Sequence, residues 1–203
     1  MEYQYQHIDE LIRNLSLKGK VEATKQLTKF YAKARFKIED VDFDRRYTDG
    51  ANDGGIDFYY IEDNTFFIFQ SKFSENPKKV SESEILAEIT KLEKTLTVSN
   101  PNSRADDFVN QLKSEATNKD ANLEIIWLTT NIVKRSVMDA VKNQLESWRK
   151  ANGWLMNIDF IAIDKFELER VIYDVKHGWL WHVTRAELAV WRLLIGCMSI
   201  PSA

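Results

Sequence analysis

Asp49-Gly-Ala-Asn-Asp53-Gly-Gly-Ile-Asp57-Phe-Tyr-Tyr-Ile-Glu62-Asp-Asn-Thr65-Phe-Phe-Ile-Phe-Gln70-Ser-Lys72-Phe73 is the stretch that decides the fold of this 203-residue chain. Two apolar runs, Phe58–Ile61 and Phe66–Phe69, flank a polar Glu62-Asp63-Asn64 break, the pattern of a β-hairpin. A Gly- and Asp-rich loop precedes the first run. The second run turns polar only at Gln70-Ser71-Lys72, and a strand that changes character at its last residues delivers them to a site.

Spacing fixes the register. Side chains alternate along a strand, so Phe66, Ile68, Gln70 and Lys72 share one face and Phe67, Phe69 and Ser71 the other. Asp and Asn tolerate the left-handed backbone of a two-residue turn at Asp63-Asn64. Glu62 then faces Thr65 and Asp57 faces Gln70, with Cβ atoms about 4.5–5.5 Å apart. A four-residue loop keeps this pairing. A three-residue loop would set Asp57 against Phe69 and scatter the group.

An acid, an amide oxygen and an ammonium converging on one side of a hairpin suit a divalent cation and a phosphodiester. Mg²⁺ takes carboxylate, carbonyl and water oxygens in an octahedron. Asp57 offers a carboxylate, Gln70 an amide oxygen and Ser71 its backbone carbonyl as metal ligands. Lys72 is placed to orient or deprotonate a water, or to stabilise charge on the phosphate.

Asp57 followed by Gln70-Ser71-Lys72 on the next strand resembles the core of the PD-(D/E)XK nuclease superfamily, in the Asp…Gln-x-Lys form of Mrr-like restriction endonucleases. Asp49-Gly-Ala-Asn-Asp-Gly-Gly-Ile-Asp57 with Phe69-Gln-Ser-Lys-Phe-Ser74 looks closest to the N-terminal part of abortive infection phage resistance (AIPR) proteins. The resemblance covers about residues 45–98. It implies a restriction-endonuclease-like αβββαβ core, Mg²⁺ (or Mn²⁺) as cofactor, and hydrolysis of nucleic acid, DNA ahead of RNA, in phage defence. Gln70 stands where the superfamily more often has Asp or Glu, which removes one charge from the site. Members of the Mrr-like branch often carry a metal-linked Glu on the first core helix. Glu22 is the only acid on that helix here, although the helical wheel sets it beside Lys29 and Lys33, away from the apolar stripe. The rival expectation is a catalytically silent nuclease fold serving as a nucleic-acid-binding or assembly module.

Hydrophobic residues make up 44% of the chain and aromatics 12%, which is globular composition, and the length fits one domain with a sizeable core. The net charge of −3 excludes a polycation, so nucleic-acid contact has to come from a local basic face and a metal. A single cysteine, Cys197, excludes an intramolecular disulfide framework and points to a reducing, cytoplasmic setting, and no signal peptide or membrane span is expected.

The expected fold class is α/β: a mixed sheet with an antiparallel hairpin and a parallel edge, and helices on both faces. Residues 1–175 form the nuclease-like domain, with its core at about 20–163. Helical spacing predicts helices at 5–16 and 21–35, the second with Leu27, Phe30, Tyr31 and Ala34 inward and a stripe of Lys25, Lys29 and Lys33. That stripe reads as a solvated face or as phosphate-backbone contacts. Alternation of Phe36, Ile38, Val41 and Phe43 predicts a first strand over 36–47, followed by Arg45 and Arg46 where phosphate could meet them. Asp49 and Asp53 read as turn formers, with outer-shell metal contact as the lesser alternative. Further helices are predicted at 82–98, 104–116, 133–152 and 165–174, and strands at 123–130 and 154–163. Residues 176–203, with His177, Trp179, Trp181, His182 and Trp191, are read as a helical aromatic tail packing on the domain or on a second subunit, which allows a homodimer.

Overall fold

The computed structural model describes residues 6–50, 53–97 and 103–176. Strands β1 (Phe58–Glu62) and β2 (Thr65–Lys72) form the expected hairpin, with Glu62 opposite Thr65 and Phe58 opposite Phe69. Asp63 supplies the left-handed residue of the two-residue turn, at φ 51°. Strands β3 (Asn122–Thr129) and β4 (Asn157–Ile163) add in parallel, giving a four-stranded mixed sheet in the order β1-β2-β3-β4.

The central position of β2 and β3 explains their composition. Strands covered on both faces read as continuous apolar runs, and β2 is buried from Thr65 to Ser71. Phe66, Ile68, Leu123, Ile125 and Trp127 face helices α4 (Glu82–Thr97), α5 (Asp106–Glu115) and α6 (Arg135–Ala151). Phe67, Phe69, Ile126 and Leu128 face α1 (Gln6–Ser16), α2 (Lys20–Phe36), α3 (Asp40–Arg46) and α7 (Lys165–Lys176). Helices therefore cover both faces, as the fold class requires. Ser81 Oγ accepts from the Glu84 N–H at the start of α4, and Asp164 Oδ1 accepts from the Phe166 and Glu167 N–H groups at the start of α7. These caps satisfy donors that a helix start leaves without partners.

The predicted first strand is corrected: residues 40–46 form helix α3, not a strand. Asp40 and Asp42 lie in its first turn and Arg45 and Arg46 in its last, which suits the helix dipole, while Asp is a poor strand former. Val41, expected inward, is 62% exposed. Phe43 and Tyr47, one turn apart, stack with ring centroids 5.3 Å apart, and Phe43 stacks on Phe58 at 5.1 Å. What remains of a strand here is one antiparallel bridge from Tyr47 to Phe58. The αβββαβ order is accordingly reduced by its first strand.

Helix α2 is also rotated from its expected setting. Leu27 and Tyr31 are buried, but Thr24 and Thr28 are buried beside them, while Phe30 and Ala34 stay half-buried. Both threonines meet their hydroxyl needs within the helix, donating to the carbonyls of Lys20 and Thr24. The predicted tail, 176–203, lies outside the described residues apart from Lys176, which ends α7. Among the described residues no helix is long and apolar enough to cross a membrane.

Candidate metal centre

The site forms where β2 leaves the sheet. Asp57 sits one residue before β1, and its main chain turns aside: its N–H donates to the Phe69 carbonyl, while its own carbonyl accepts from the Thr48 and Asp49 N–H groups. Its carboxylate takes the place of a strand partner, accepting from the Ser71 N–H at 2.6 Å. The Gln70 carboxamide lies opposite, with Nε2 3.3 and 3.2 Å from the two Asp57 oxygens. Asp57 and Gln70 are 2% and 4% exposed, so this polar pair is inside the protein.

Lys72 follows on the same face. Its ammonium is 2.9 Å from Glu88 Oε1 on α4. Ser71 points the other way, its hydroxyl 2.8 Å from that of Thr28 on α2. Thr28 is the donor of this pair, and its one proton also has the Thr24 carbonyl at 2.8 Å as an alternative acceptor. The Lys72 carbonyl accepts from Thr129 Oγ1 at 2.8 Å, which fixes the end of β2 against β3.

The Gly-rich loop adds two acids that the sequence suggested chiefly as turn formers. One oxygen from each of Asp49, Asp53 and Asp57 lies within 4.8 Å of the others. Asp53 does form a turn, its Oδ1 accepting from the Gly55 N–H at 2.8 Å, and the same carboxylate accepts from the Lys91 ammonium on α4. Gly55 has φ +83°, and a Cβ there would stand 3.3 Å from the Cβ and backbone nitrogen of Leu92. Thr95 Oγ1 donates to the Gly54 carbonyl at 2.8 Å. Helix α4 thus holds the loop against the hairpin. Asp49 accepts from the Tyr47 hydroxyl at 2.7 Å.

Burial holds the Asp57 carboxyl well above its usual range. The Ser71 N–H pulls it down, the charges of Asp49 and Asp53 push it up, and Lys72 pulls it down. Tyr47 is raised for kindred reasons: burial, the bond to Asp49, and the charges of Asp49, Asp57 and Glu22. Burial lowers Lys91, but the bond to Asp53 and the charges of Asp53, Glu88 and Asp57 outweigh it and leave it raised.

Glu22 is not one of the converging carboxylates, although its charge is felt at Tyr47, which bonds Asp49. It is exposed on α2 and accepts from Gln26 Nε2 at 2.7 Å. The lysine stripe is engaged by α3: Lys25 with Asp44 at 3.1 Å, and Lys29 and Lys33 with Asp40 at 3.2 and 2.8 Å. Arg46 pairs with Asp42 at 3.3 Å within α3 and lies over the Tyr60 ring.

No protein-family model, curated protein or solved structure matches this chain. The reading of the site therefore rests on its residues.

Those residues fit a hard divalent cation. Three carboxylates converge, two of them buried, and the buried Gln70 Oε1 has no hydrogen-bond partner. An orphaned buried acceptor is costly, and oxygen donors of this kind are what Mg²⁺ and Mn²⁺ take. The sequence pattern placed Asp57, Gln70 and Lys72 on one side of the hairpin, as observed, but did not point to Glu88 and Lys91 beside them. Their i,i+3 spacing on α4, beside the buried Ile85, Ile89 and Leu92, was the available signal.

Proposed function

We propose that this chain is a Mg²⁺-dependent (or Mn²⁺-dependent) endonuclease that hydrolyses DNA phosphodiester bonds, of PD-(D/E)XK type and associated with phage defence. The supporting observation is the convergence of Asp57, Gln70 and Lys72 on one side of the hairpin, with the Asp49 and Asp53 carboxylates beside them. Asp57, Gln70 and the Ser71 carbonyl would hold the cation, joined by Asp53 or Asp49. The added carboxylates offset the charge that Gln70 lacks.

A divalent cation in such a site polarises a phosphoryl oxygen and makes a bound water a better nucleophile. The protein's own residues supply the rest. The Ser71 N–H orients the Asp57 carboxylate. Glu88 holds the Lys72 ammonium on the Gln70 face of β2, where it would stabilise charge building on phosphate oxygens. Among the described residues no serine or cysteine paired with a base adjoins the centre, so the reading is direct hydrolysis without a covalent enzyme intermediate. The resemblance to AIPR proteins and the single Cys197 support a role inside the cytoplasm.

A plasmid-nicking assay tests this. The wild-type chain should nick supercoiled plasmid with Mg²⁺ and not in EDTA, and Asp57→Ala and Lys72→Ala should each lose activity by about 10²-fold or more. Equal, negligible nicking by all three proteins sinks the enzymatic reading. One observation favours a catalytically silent fold: the Lys72 ammonium is already ion-paired to Glu88. That reading expects DNA affinity that persists in EDTA.

A further inference from the structure

The charges around the centre can be counted. Asp49, Asp53, Asp57 and Glu88 supply four carboxyl groups around two ammonium groups, Lys72 and Lys91. With all four ionised, two negative charges remain, the number that one divalent cation neutralises. Two such cations would leave an excess of two positive charges, which falls to one when Lys91 is removed.

Lys91 occupies a particular place in this arrangement. Its ammonium bonds Asp53 and lies 3.9 Å from Glu88 Oε2, so it stands between the loop carboxylates and the carboxylate that holds Lys72. The Asp53 side chain is only 10% exposed, while Lys91 at 45% reaches it from the solvent side, so the pair is buried at its acid end alone. Each carboxylate of the trio is engaged on one side: Asp57 by Ser71 and Gln70, Asp49 by Tyr47, Asp53 by Gly55 and Lys91. The Gln70 carboxamide abuts Asp57, and its buried Oε1 is the acceptor left without a partner. The first cation therefore has its donors at the Asp57 and Gln70 side. At the Asp53 and Glu88 side an ammonium already serves.

We propose that Lys91 is a built-in cation that fills the position between Asp53 and Glu88 and restricts the centre to a single divalent ion. This rests on the metal-binding reading above. Removing the ammonium strips Asp53 of its counter-charge and leaves Glu88 with Lys72 alone, so Asp53 and the freed Glu88 Oε2 become oxygen donors for a second hard cation. An arginine at 91 keeps the charge and should keep the restriction, although its planar fork is a different shape.

The test counts bound Mn²⁺ in the full chain at saturating metal and pH 8, reading free Mn²⁺ by electron paramagnetic resonance. Melting curves check that each variant is folded. The wild-type chain and Lys91→Arg should bind one Mn²⁺, and Lys91→Met should bind two. Adding Asp53→Asn to Lys91→Met should return the count to one. One ion in both the wild-type chain and Lys91→Met overturns the inference while leaving the metal reading intact. Two ions in the wild-type chain overturn it whatever the variants do. A count of zero in the wild-type chain sinks the metal reading and the inference together.

Discussion

The Lys72 ammonium lies 2.9 Å from Glu88 Oε1, so the last charged residue of the hairpin is held from helix α4, sixteen residues on. A flexible lysine gains its directional value from such a partner. Without one, its rotamers spread and the charge is smeared over the surface beside α4. Glu88→Gln should lower the nicking rate by about 10–100-fold with KM little changed, since small displacements in a positioned group carry costs of that order. Steady-state nicking kinetics at several plasmid concentrations decide it. A wild-type rate in Glu88→Gln would remove Glu88 from the site.

The raised Asp57 carboxyl is a liability for folding. Burial and the neighbouring acids favour its protonated form in the folded state, whereas the unfolded chain titrates near the ordinary carboxyl value of about 3.9. Between those two pKa values the folded state holds the extra proton, so the stability that the neutral form contributes is lost as pH rises through the window. Asparagine never ionises and can still accept from the Ser71 N–H. Asp57→Asn should therefore melt higher than wild type in EDTA at pH 8, with the difference shrinking toward pH 4. Mn²⁺ should stabilise only the wild-type chain. Melting curves across that pH range check both statements, and a pH-independent difference would contradict the assignment.

The legible and the hidden parts of this chain differ in the range of the forces that set them. Hairpin and register followed from period-two alternation and one Asp63-Asn64 turn, and these local rules placed Asp57 against Gln70. Segment 36–47 misled because Phe36, Ile38 and Phe43 mimic alternation while belonging to the end of α2, a linker and α3. Its acid-first, base-last charge order was the better guide. The rotation of α2 toward Thr24 and Thr28 depended on what β2 offers beneath it, the Ser71 hydroxyl, which helical periodicity alone does not disclose. Glu88 and Lys91 reach the centre only because α4 folds back over the glycine loop. That contact spans 38 residues in the case of Lys91 and Asp53.

The approach of α4 to the loop is tight enough to test. Gly55 has φ +83°, and any side chain there would meet the Leu92 backbone nitrogen at 3.3 Å. Left-handed backbone at a non-glycine residue costs about 1–3 kcal/mol before the contact is counted. At roughly 2–4 °C per kcal/mol for a chain of this size, Gly55→Ala should lower Tm by about 2–12 °C. The displaced loop carries Asp53, so Mn²⁺ affinity should fall as well. Calorimetry on the variant measures both, and an unchanged Tm would contradict the close packing of helix against loop.

The lysines of α2 offer the last prediction. A free lysine on a DNA-facing helix would contribute about 0.9 to the slope of log K against log salt for each phosphate it neutralises. Lys25, Lys29 and Lys33 instead face Asp44 and Asp40 on α3, and Lys25 and Lys29 also lie over the Tyr47 and Phe43 rings. Their charge is largely answered within the protein. Replacing all three by glutamine should change the salt slope of DNA binding by less than about 1, where three phosphate contacts would remove roughly 2.7. Fluorescence anisotropy with labelled duplex between low and moderate salt gives the slope directly. A loss near three would mean that α3 releases these lysines to the phosphate backbone, making the α2–α3 face, rather than the surface near Lys72, the DNA-binding surface.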